Sequence, residues 1–210
     1  LGHQFENIVA LSADLAGSVN LSDFSKVFPD RFINVGVAEQ DLMGVSAGLT
    51  LAGKIPYAST YAVFSALRAA EQVRTYIGYN GLPVRIVSSH GGITFGVAGA
   101  THQALEDIAV FRTIPGMAVF SPADAVETAA ILRKTVHLDG PLYLRLSRTT
   151  EKTVYTQDFD YQIGKPDLLI PGGEVLLIAT GNEVGEAMDA VKLLGEKGVQ
   201  DLVAHRMTVE

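Results

Sequence analysis

Short apolar runs alternate with longer amphipathic segments along most of the chain. The runs have the length of β-strands, and several are apolar throughout, which is typical of parallel strands covered on both faces. They predict strands at 7–12, 32–36, 55–60, 84–89, 117–120 and 142–146. The intervening segments predict helices at 39–53, 62–80, 102–113 and 122–137. This alternation predicts an α/β fold with a doubly wound, mostly parallel sheet and helices on both faces.

Two of the predicted helices carry clear internal signals. In the helix at 62–80, charged residues lie outside an apolar stripe that consists of Leu67, Ala70, Val73 and Ile77. The helix at 122–137 opens with Ser121, which we expect to be the N-cap. Pro122 would then take the first helical position, and Asp124 would be an acid in the first turn.

The pattern changes after residue 148. Residues 149–172 are polar and rich in Gly and Pro, which predicts a linker behind a first domain at 1–148. A second strand–helix–strand pattern then occupies 173–210. Two strands and one helix cannot enclose a core, so we expect the beginning of an incomplete α/β domain there. Because the chain also starts without Met, we expect a fragment at both ends.

Composition narrows the classes of function. Hydrophobic residues make up 48% of the 210 residues, which suffices for a core and excludes disorder. Lys and Arg number 16 against 23 Asp and Glu, and the net charge of −7 argues against a nucleic-acid or membrane-surface partner. No apolar run reaches the ~18 residues of a membrane span. The absence of Cys excludes disulfides, thiolate metal sites and thiol nucleophiles. We therefore expect a cytoplasmic protein.

Polar and aromatic residues follow the predicted strands, where open parallel sheets bind their ligands. These residues are Asp14, Ser18, Glu39, Thr60, Tyr61, Phe64, Ser89, His90, Ser147 and Arg148. Taken singly, Glu39 is an ordinary first-turn acid and His102 a helix cap. No second ligand stands at metal-binding spacing from His90, so no metal site is predicted. The glycine-rich GGITFGVAGATH fits no nucleotide motif, and Ser12 and Ser18 lack a nucleophile-elbow setting. The residues alone thus predict a strand-end site with an acid, two histidines, an arginine and aromatic walls.

Three stretches carry a resemblance to a known family: FPDRFINVGVAEQDLMGVSAGLTLAGKIPYASTYAVF, SSHGGITFGVAGATHQALEDIAVFRTIPGMAVFSPADAVET and GPLYLRLSR. From about Val9 to Arg148 the chain resembles the pyrimidine-binding half of transketolases, and from Glu174 the start of their C-terminal domain. The resemblance implies the pyrimidine module of the thiamine-diphosphate-binding fold. It also implies a transferase that moves a two-carbon ketol unit from a ketose phosphate to an aldose phosphate.

The resemblance also implies which residues meet the cofactor, thiamine diphosphate. The cofactor supplies the carbanion chemistry, and protein groups bind and orient it. Glu39, in VAEQ, matches the catalytic acid at the pyrimidine ring nitrogen, and Asp14 matches an acid near the cofactor. Tyr61, Phe64 and Leu67 match the aromatic pocket around the pyrimidine, with Leu67 as an aliphatic replacement.

A second group of residues is implied to meet the substrate. His90, in SSHGGIT, and His102, in GATHQ, match two catalytic histidines of the substrate channel. Ser18 and Arg148 match contacts to the substrate phosphate. Ala98 stands where the family usually has the Asp of GEDGPTH, which meets a sugar hydroxyl. A methyl group cannot accept that hydrogen bond, so branched, shorter or otherwise unusual ketose phosphates stay open.

The family's GDG…N motif, which holds the diphosphate and its Mg²⁺ or Ca²⁺, does not occur in this sequence. We expect an N-terminal, diphosphate-binding half or subunit to supply it, in a homodimer or heterotetramer. The implied substrates are sugar phosphates, and the implied route is the pentose phosphate pathway.

Three alternatives stay open. 1-Deoxyxylulose-5-phosphate synthases share FPDR, VGIAEQ and THQ, but they have DRAG where this chain has SSHGGIT. The β subunits of 2-oxoacid dehydrogenases share the glutamate of AEQ, but THQALED is not expected in them. The third alternative is a non-catalytic assembly subunit of a split enzyme.

Overall fold

Strands and helices follow each other in the order that the hydrophobic pattern predicts. The structure is a computed structural model and describes residues 1–149, 152–171, 175–199, 201–205 and 208–209. The chain divides into two compact units, Leu1–Val119 with Val136–Thr149, and Phe120–Thr135 with Thr150–Glu210.

The described residues form strands and helices with the following bounds. The strands are β1 (Ile8–Ser12), β2 (Phe32–Asn34), β3 (Ile55–Tyr61), β4 (Arg85–Ser89), β5 (Ala118–Phe120), β6 (Leu142–Arg145), β7 (Asp167–Ile170), β8 (Val175–Ala179), β9 (Asp201–His205) and β10 (Thr208–Val209). The α-helices are α1 (Ser22–Val27), α2 (Glu39–Leu51), α3 (Ala70–Gln72), α4 (Asp107–Arg112), α5 (Ala125–Lys134) and α6 (Glu183–Gly195). Two π-helical segments, Phe64–Arg68 and Val73–Gly78, flank α3, and short 3₁₀ turns lie at Pro29–Arg31 and Gly96–Ala98.

The sheet of the first unit is mostly parallel, as predicted. Its strands lie in the order β5-β6-β4-β3-β1-β2. The pairs β1–β2, β1–β3, β3–β4 and β4–β6 are all parallel. Apolar residues of β1, β3, β4 and β6 are buried, which explains why these strands have continuous apolar sequences. The prediction of the α/β class and of the mostly parallel sheet is confirmed.

The stretch predicted as one helix at 62–80 is not a regular α-helix. Its π-helical segments close i→i+5 hydrogen bonds, and each such turn adds a residue and rotates the following side chains. The buried residues of this stretch are Ala62, Val63, Ser65, Ala66, Ala69, Val73 and Ile77. Leu67 is 53% exposed, so the predicted apolar stripe is wrong at this position. Ala70 is half-buried.

Two predicted helix starts are also wrong, each for a local reason. The helix expected from residue 102 begins at Asp107, because Ala104 instead forms a β-bridge with Gly92, with N···O distances of 2.8 and 3.1 Å. The helix expected after Ser121 begins at Ala125. Its N-cap is Asp124, whose side chain accepts a hydrogen bond from the backbone N–H of Glu127 at 2.9 Å.

The second unit has its own three-stranded sheet. Its order is β7-β9-β8, with β7 antiparallel and β8 parallel to β9, and α6 lies against β8 and β9. The predicted strand–helix–strand order is thus present as β8, α6 and β9. β7 falls inside the stretch predicted as a linker. The domain limits at 1–148, 149–172 and 173–210 stay a prediction. Among the described residues, every helix is too short or too polar to cross a membrane.

Candidate functional site

The carboxyl ends of β3, β4 and β6 lie at one level of the sheet. The parallel register pairs Tyr61 with Ser89, and Ser88 with Arg145, so these neighbouring strands end side by side. The residues that follow these strands, among them His90 directly after β4, lie at the edge where open α/β sheets bind ligands.

Five rings gather at this edge, and we call them the ring cluster: Tyr61, Phe64, His90, Phe95 and His102. Tyr61 lies at the centre, with ring centroids 4.0 Å from His90, 5.8 Å from Phe64 and 5.5 Å from Phe95. The His102 ring meets Phe64 edge-on at 5.2 Å. Both predicted histidines therefore lie beside two of the predicted pocket aromatics.

His90 is held in an unusual backbone conformation. Its φ of +64° is in the left-handed region, which costs a non-glycine residue of order 1–3 kcal/mol and is often found at functional sites. The ring is 2% exposed, and its Nδ1 lies 2.7 Å from Ser89 Oγ. Nε2 is then the ring atom that could meet a ligand.

The surroundings of His90 keep its imidazole neutral. Burial, then the charge of Arg148 and that of His102, lower the pKa of His90 to about 4. A neutral imidazole can accept a hydrogen bond at one nitrogen and donate at the other. His90 thus suits hydroxyl recognition and proton acceptance at neutral pH.

A cavity of about 510 Å³ opens beside the ring cluster. Its lining includes Ser18, Tyr61, His90, Phe95 and Arg148. The structure thereby brings three of the four predicted substrate residues to one space. The fourth, His102, joins through its ring contacts rather than through the lining.

The backbone supports Arg148 at the mouth of this cavity. Its N–H donates to Thr94 Oγ1 at 3.2 Å, while the residue itself is exposed. An exposed guanidinium at the rim of a cavity can pair with an anionic group without a large desolvation cost.

Glu39 lies in a second recess, at the first position of α2. This recess has a volume of about 370 Å³, and Glu39 and Arg68 both line it. The Glu39 carboxyl is 2% exposed, and its Oε2 lies 2.8 Å from Arg68 Nη1. The Arg68 guanidinium also stacks over Phe64, with Cζ 4.1 Å from the ring centroid. Arg68 thus contacts both Glu39 of the recess and Phe64 of the ring cluster.

Asp14 and Leu67 do not line either of these two cavities. Asp14 is exposed, with a φ of +60°. Its N–H donates to Asn34 Oδ1 at 2.9 Å, and Asn34 Nδ2 donates to its carboxylate at 3.0 Å. This reciprocal pair ties the end of β1 to the end of β2.

A buried group behind the ring cluster, which we call the clamp, fixes the backbone after His90. It consists of Asp107, Tyr143 and Arg145. Asp107 Oδ2 accepts from Arg145 Nε at 2.8 Å and from the Tyr143 hydroxyl at 2.7 Å. Burial, then the charge of Asp107, raise the pKa of Tyr143 well above its usual range, so this hydroxyl stays a donor.

Arg145 of the clamp fits against Gly91. A Cβ at Gly91 would lie 2.7 Å from Arg145 Nε and 2.8 Å from its Cγ. The missing side chain therefore allows the guanidinium to pack on the segment that carries His90. Gly91 N–H also donates to Leu146 O at 2.9 Å, directly after the strand that ends with Arg145.

Sequence reasoning missed several of these residues. Phe95 could have been found from the sequence, because it is the single aromatic residue of the glycine-rich stretch GGITFGVAG. Arg68 is one of the charged residues outside the predicted apolar stripe, and the pattern assigns it no role. Asp107 and Arg145 stand 38 positions apart, and no local pattern links them. Within the part of the chain that the structure describes, no group of three or more His, Asp or Glu side chains could hold a metal ion.

Comparison with known proteins gives a consistent match. Residues 1–152 match the family model described as the transketolase pyrimidine-binding domain. A protein of Methanocaldococcus jannaschii named as a transketolase C-terminal section is 42% identical over 212 residues, which covers 100% of this chain and 67% of that protein. An apulose-4-phosphate transketolase subunit of Phocaeicola vulgatus is 39% identical, over 100% of this chain and 68% of its own length.

A solved structure supports the same match. It is described as a split-gene transketolase, an inactive β4 tetramer, and it superposes with a TM-score of 0.89 at 45% identity. The superposition covers 98% of this chain and 66% of the solved one. The chain thus spans about two thirds of the length of these similar proteins.

Proposed function

This chain belongs to the transketolase family, and from that premise we propose that it supplies the pyrimidine-binding side of a thiamine-diphosphate-dependent ketol-transfer site. The reaction moves a two-carbon unit from a ketose phosphate to an aldose phosphate. The observation that carries the proposal is the buried Glu39 carboxyl, which adjoins Phe64 of the ring cluster through Arg68.

Glu39 and two rings of the ring cluster suit the pyrimidine ring of the cofactor. A buried carboxyl is suited to a hydrogen bond with a ring nitrogen, and Phe64 and Tyr61 offer aromatic faces for stacking. Thiamine diphosphate, when bound, supplies the carbanion chemistry. Glu39 holds a proton at the ring nitrogen, and Phe64 and Tyr61 orient the ring. Leu67 and Asp14 are proposed as outer contacts of the cofactor.

The 510 Å³ cavity is proposed to take the sugar phosphate. His90 and His102 hydrogen-bond the sugar hydroxyls and exchange protons with them, and the neutral state of His90 leaves one nitrogen able to accept. Arg148 and Ser18 bind the phosphate, where a guanidinium can pair with two oxygens.

Ala98 bears on which sugar is used. It lies in the 3₁₀ turn Gly96–Ala98, three positions after Phe95 of the ring cluster, and its methyl group offers no acceptor to a hydroxyl. We propose that the substrate range differs from that of transketolases with Asp at this position. The Phocaeicola vulgatus relative, which is named for apulose 4-phosphate, supports such a range in this family.

The diphosphate and its metal ion are proposed to be held by a second, N-terminal half or subunit, in a homodimer or heterotetramer. The similarity to one protein named as a C-terminal section and to another named as a transketolase subunit supports this arrangement. We propose a cytoplasmic location and a role in sugar phosphate metabolism, such as the pentose phosphate pathway.

The test is ketol transfer from xylulose 5-phosphate to a panel of aldehydes, by the full-length protein with and without its diphosphate-binding partner. We expect no transfer without the partner. In the complex, Glu39→Gln should lower the rate by about 10²-fold or more, since proton transfer at the ring nitrogen is lost. Glu6→Gln, at an exposed glutamate, is the control. A near-normal rate for Glu39→Gln would refute the role, and pyruvate decarboxylation without ketol transfer would favour a synthase.

A further inference from the structure

Arg68 lies where two of the proposed pyrimidine contacts meet. Its Nη1 is 2.8 Å from Glu39 Oε2, and its guanidinium stacks over Phe64 at 4.1 Å. A guanidinium is planar, stacks on aromatic rings and donates hydrogen bonds to carboxylates in its plane. An aminopyrimidine ring is also planar, stacks on aromatic rings and reaches a carboxyl through its nitrogens.

We propose that Arg68 fills the position of the pyrimidine ring in the ligand-free protein, and that cofactor binding displaces it. The inference rests on the proposed function, because it takes Glu39 and Phe64 as the ring contacts. The two occupants would share the Glu39 carboxyl and the Phe64 ring, so they exclude each other.

The position of Arg68 allows it to leave. Its side chain is 48% exposed, so its head can move into solvent. Arg68 is the last residue of the π-helical segment Phe64–Arg68, and its carbonyl accepts a hydrogen bond from Gln40 Nε2 at 3.3 Å. The backbone is therefore held by a contact that does not depend on the guanidinium.

The exchange also explains how a buried carboxylate stays paired. An unpaired charge at Glu39, which is 2% exposed, would be costly, and Arg68 supplies the partner before the ring arrives. When the ring replaces the guanidinium, the carboxyl exchanges one partner for another. The cost is a lower apparent affinity, because only molecules with Arg68 displaced can bind.

The experiment measures thiamine diphosphate binding by calorimetry, with Mg²⁺, in the full-length protein and its diphosphate-binding partner. Arg68→Met keeps the apolar stem and removes both contacts. The free energies of one half-exposed ion pair and one cation–π contact together correspond to about a tenfold change in binding, so the Kd should fall by about tenfold. Arg68→Lys keeps the charge but loses the planar stack, so its Kd should lie between those of wild type and Arg68→Met. Arg74→Met, at an exposed arginine of the same helical stretch, should not change the Kd.

Thermal unfolding gives a readout that is independent of activity. Arg68→Met should lower the melting temperature of the cofactor-free protein, whereas the saturated protein should melt at least as high as wild type. An unchanged or weaker Kd for Arg68→Met, with normal binding by wild type, would overturn this inference alone. Absence of binding by the wild-type complex would overturn the proposed function and this inference with it.

Discussion

The clamp behind the ring cluster offers a sharp test of what holds the site. In Arg145→Leu, the Asp107 carboxylate keeps its hydrogen bond from Tyr143 but loses its charge partner. Asp107 is 1% exposed and Arg145 15%, so solvent cannot replace the guanidinium. Breaking a buried pair by removing one partner costs about 3–5 kcal/mol. Because the Tyr143 hydrogen bond remains, we expect the lower end, about 3 kcal/mol.

The double variant Asp107→Leu/Arg145→Leu separates charge from packing. It leaves no buried charge in the clamp. The Tyr143 hydroxyl loses Asp107 as its acceptor but keeps Ser65 as a side-chain partner, so this loss costs at most about 1–3 kcal/mol. We therefore expect the double variant to be no less stable than Arg145→Leu alone, although it carries one more substitution. Simple addition of two independent losses would give a far less stable protein.

Urea unfolding of the full-length protein, followed by circular dichroism, measures both variants. In a thermal scan, a loss of about 3 kcal/mol would correspond to roughly 6–12 °C in melting temperature for a chain of about 200 residues. Lys26→Met, at a solvent-exposed pair with Asp23, is the control and should change little. A loss below about 1 kcal/mol for Arg145→Leu, or additive losses in the double variant, would refute the assignment of a buried, coupled ion pair.

Two further predictions concern the segment that carries His90. Since the pKa of His90 is about 4 in the folded protein and 6.5 ordinarily, the unfolded chain binds more protons between these values, and the free energy of unfolding should fall as the pH falls from 6.5 to 4. The loss of unfolding free energy is at most about 3 kcal/mol, and solvent screening at the open cavity reduces it. His90→Asn should flatten the dependence of this free energy on pH. Equal pH dependence in wild type and His90→Asn would contradict the low pKa. Gly91→Ala should destabilise by about 1–3 kcal/mol, because its Cβ would meet Arg145 at 2.7 Å. Gly48→Ala, in α2 with open space around its Cβ position, should stabilise slightly in the same urea assay, and equal effects at the two glycines would argue against the close packing.

The strands of the first unit were predictable to within one or two residues at most ends, because buried parallel strands need continuous apolar runs. The location of the site followed from the topology, since parallel strands bring their carboxyl ends to one edge. The roles proposed for Glu39, His90 and His102 rest on the resemblance and not on the spacing of residues. A single Glu or His at such a position is equally explained as a first-turn acid or a helix cap, so the residue type alone does not indicate a function.

The incorrect and missing predictions mostly involve contacts between residues that no local sequence pattern encodes. Leu67 is exposed because the buried stripe passes through Ala66 and Ala69 instead, and a small alanine is a weaker apolar signal in the sequence than a leucine. Asp107 and Arg145 meet across 38 positions through the sheet. The helix before Asp107 was shortened because the backbone of Ala104 pairs with Gly92.

The N-cap of α5 bears on how the chain can be dissected in the laboratory. Besides Glu127 N–H, the Asp124 carboxylate accepts from the N–H groups of Val154 and Tyr155, each at 2.8 Å. A chain that ends at residue 148, the predicted end of the first domain, would lack Val154 and Tyr155. Asp124 Oδ2, on a buried carboxylate, would then lose both of these hydrogen-bond donors. Expression and crystallisation trials of the isolated pyrimidine-binding part should therefore extend past Tyr155.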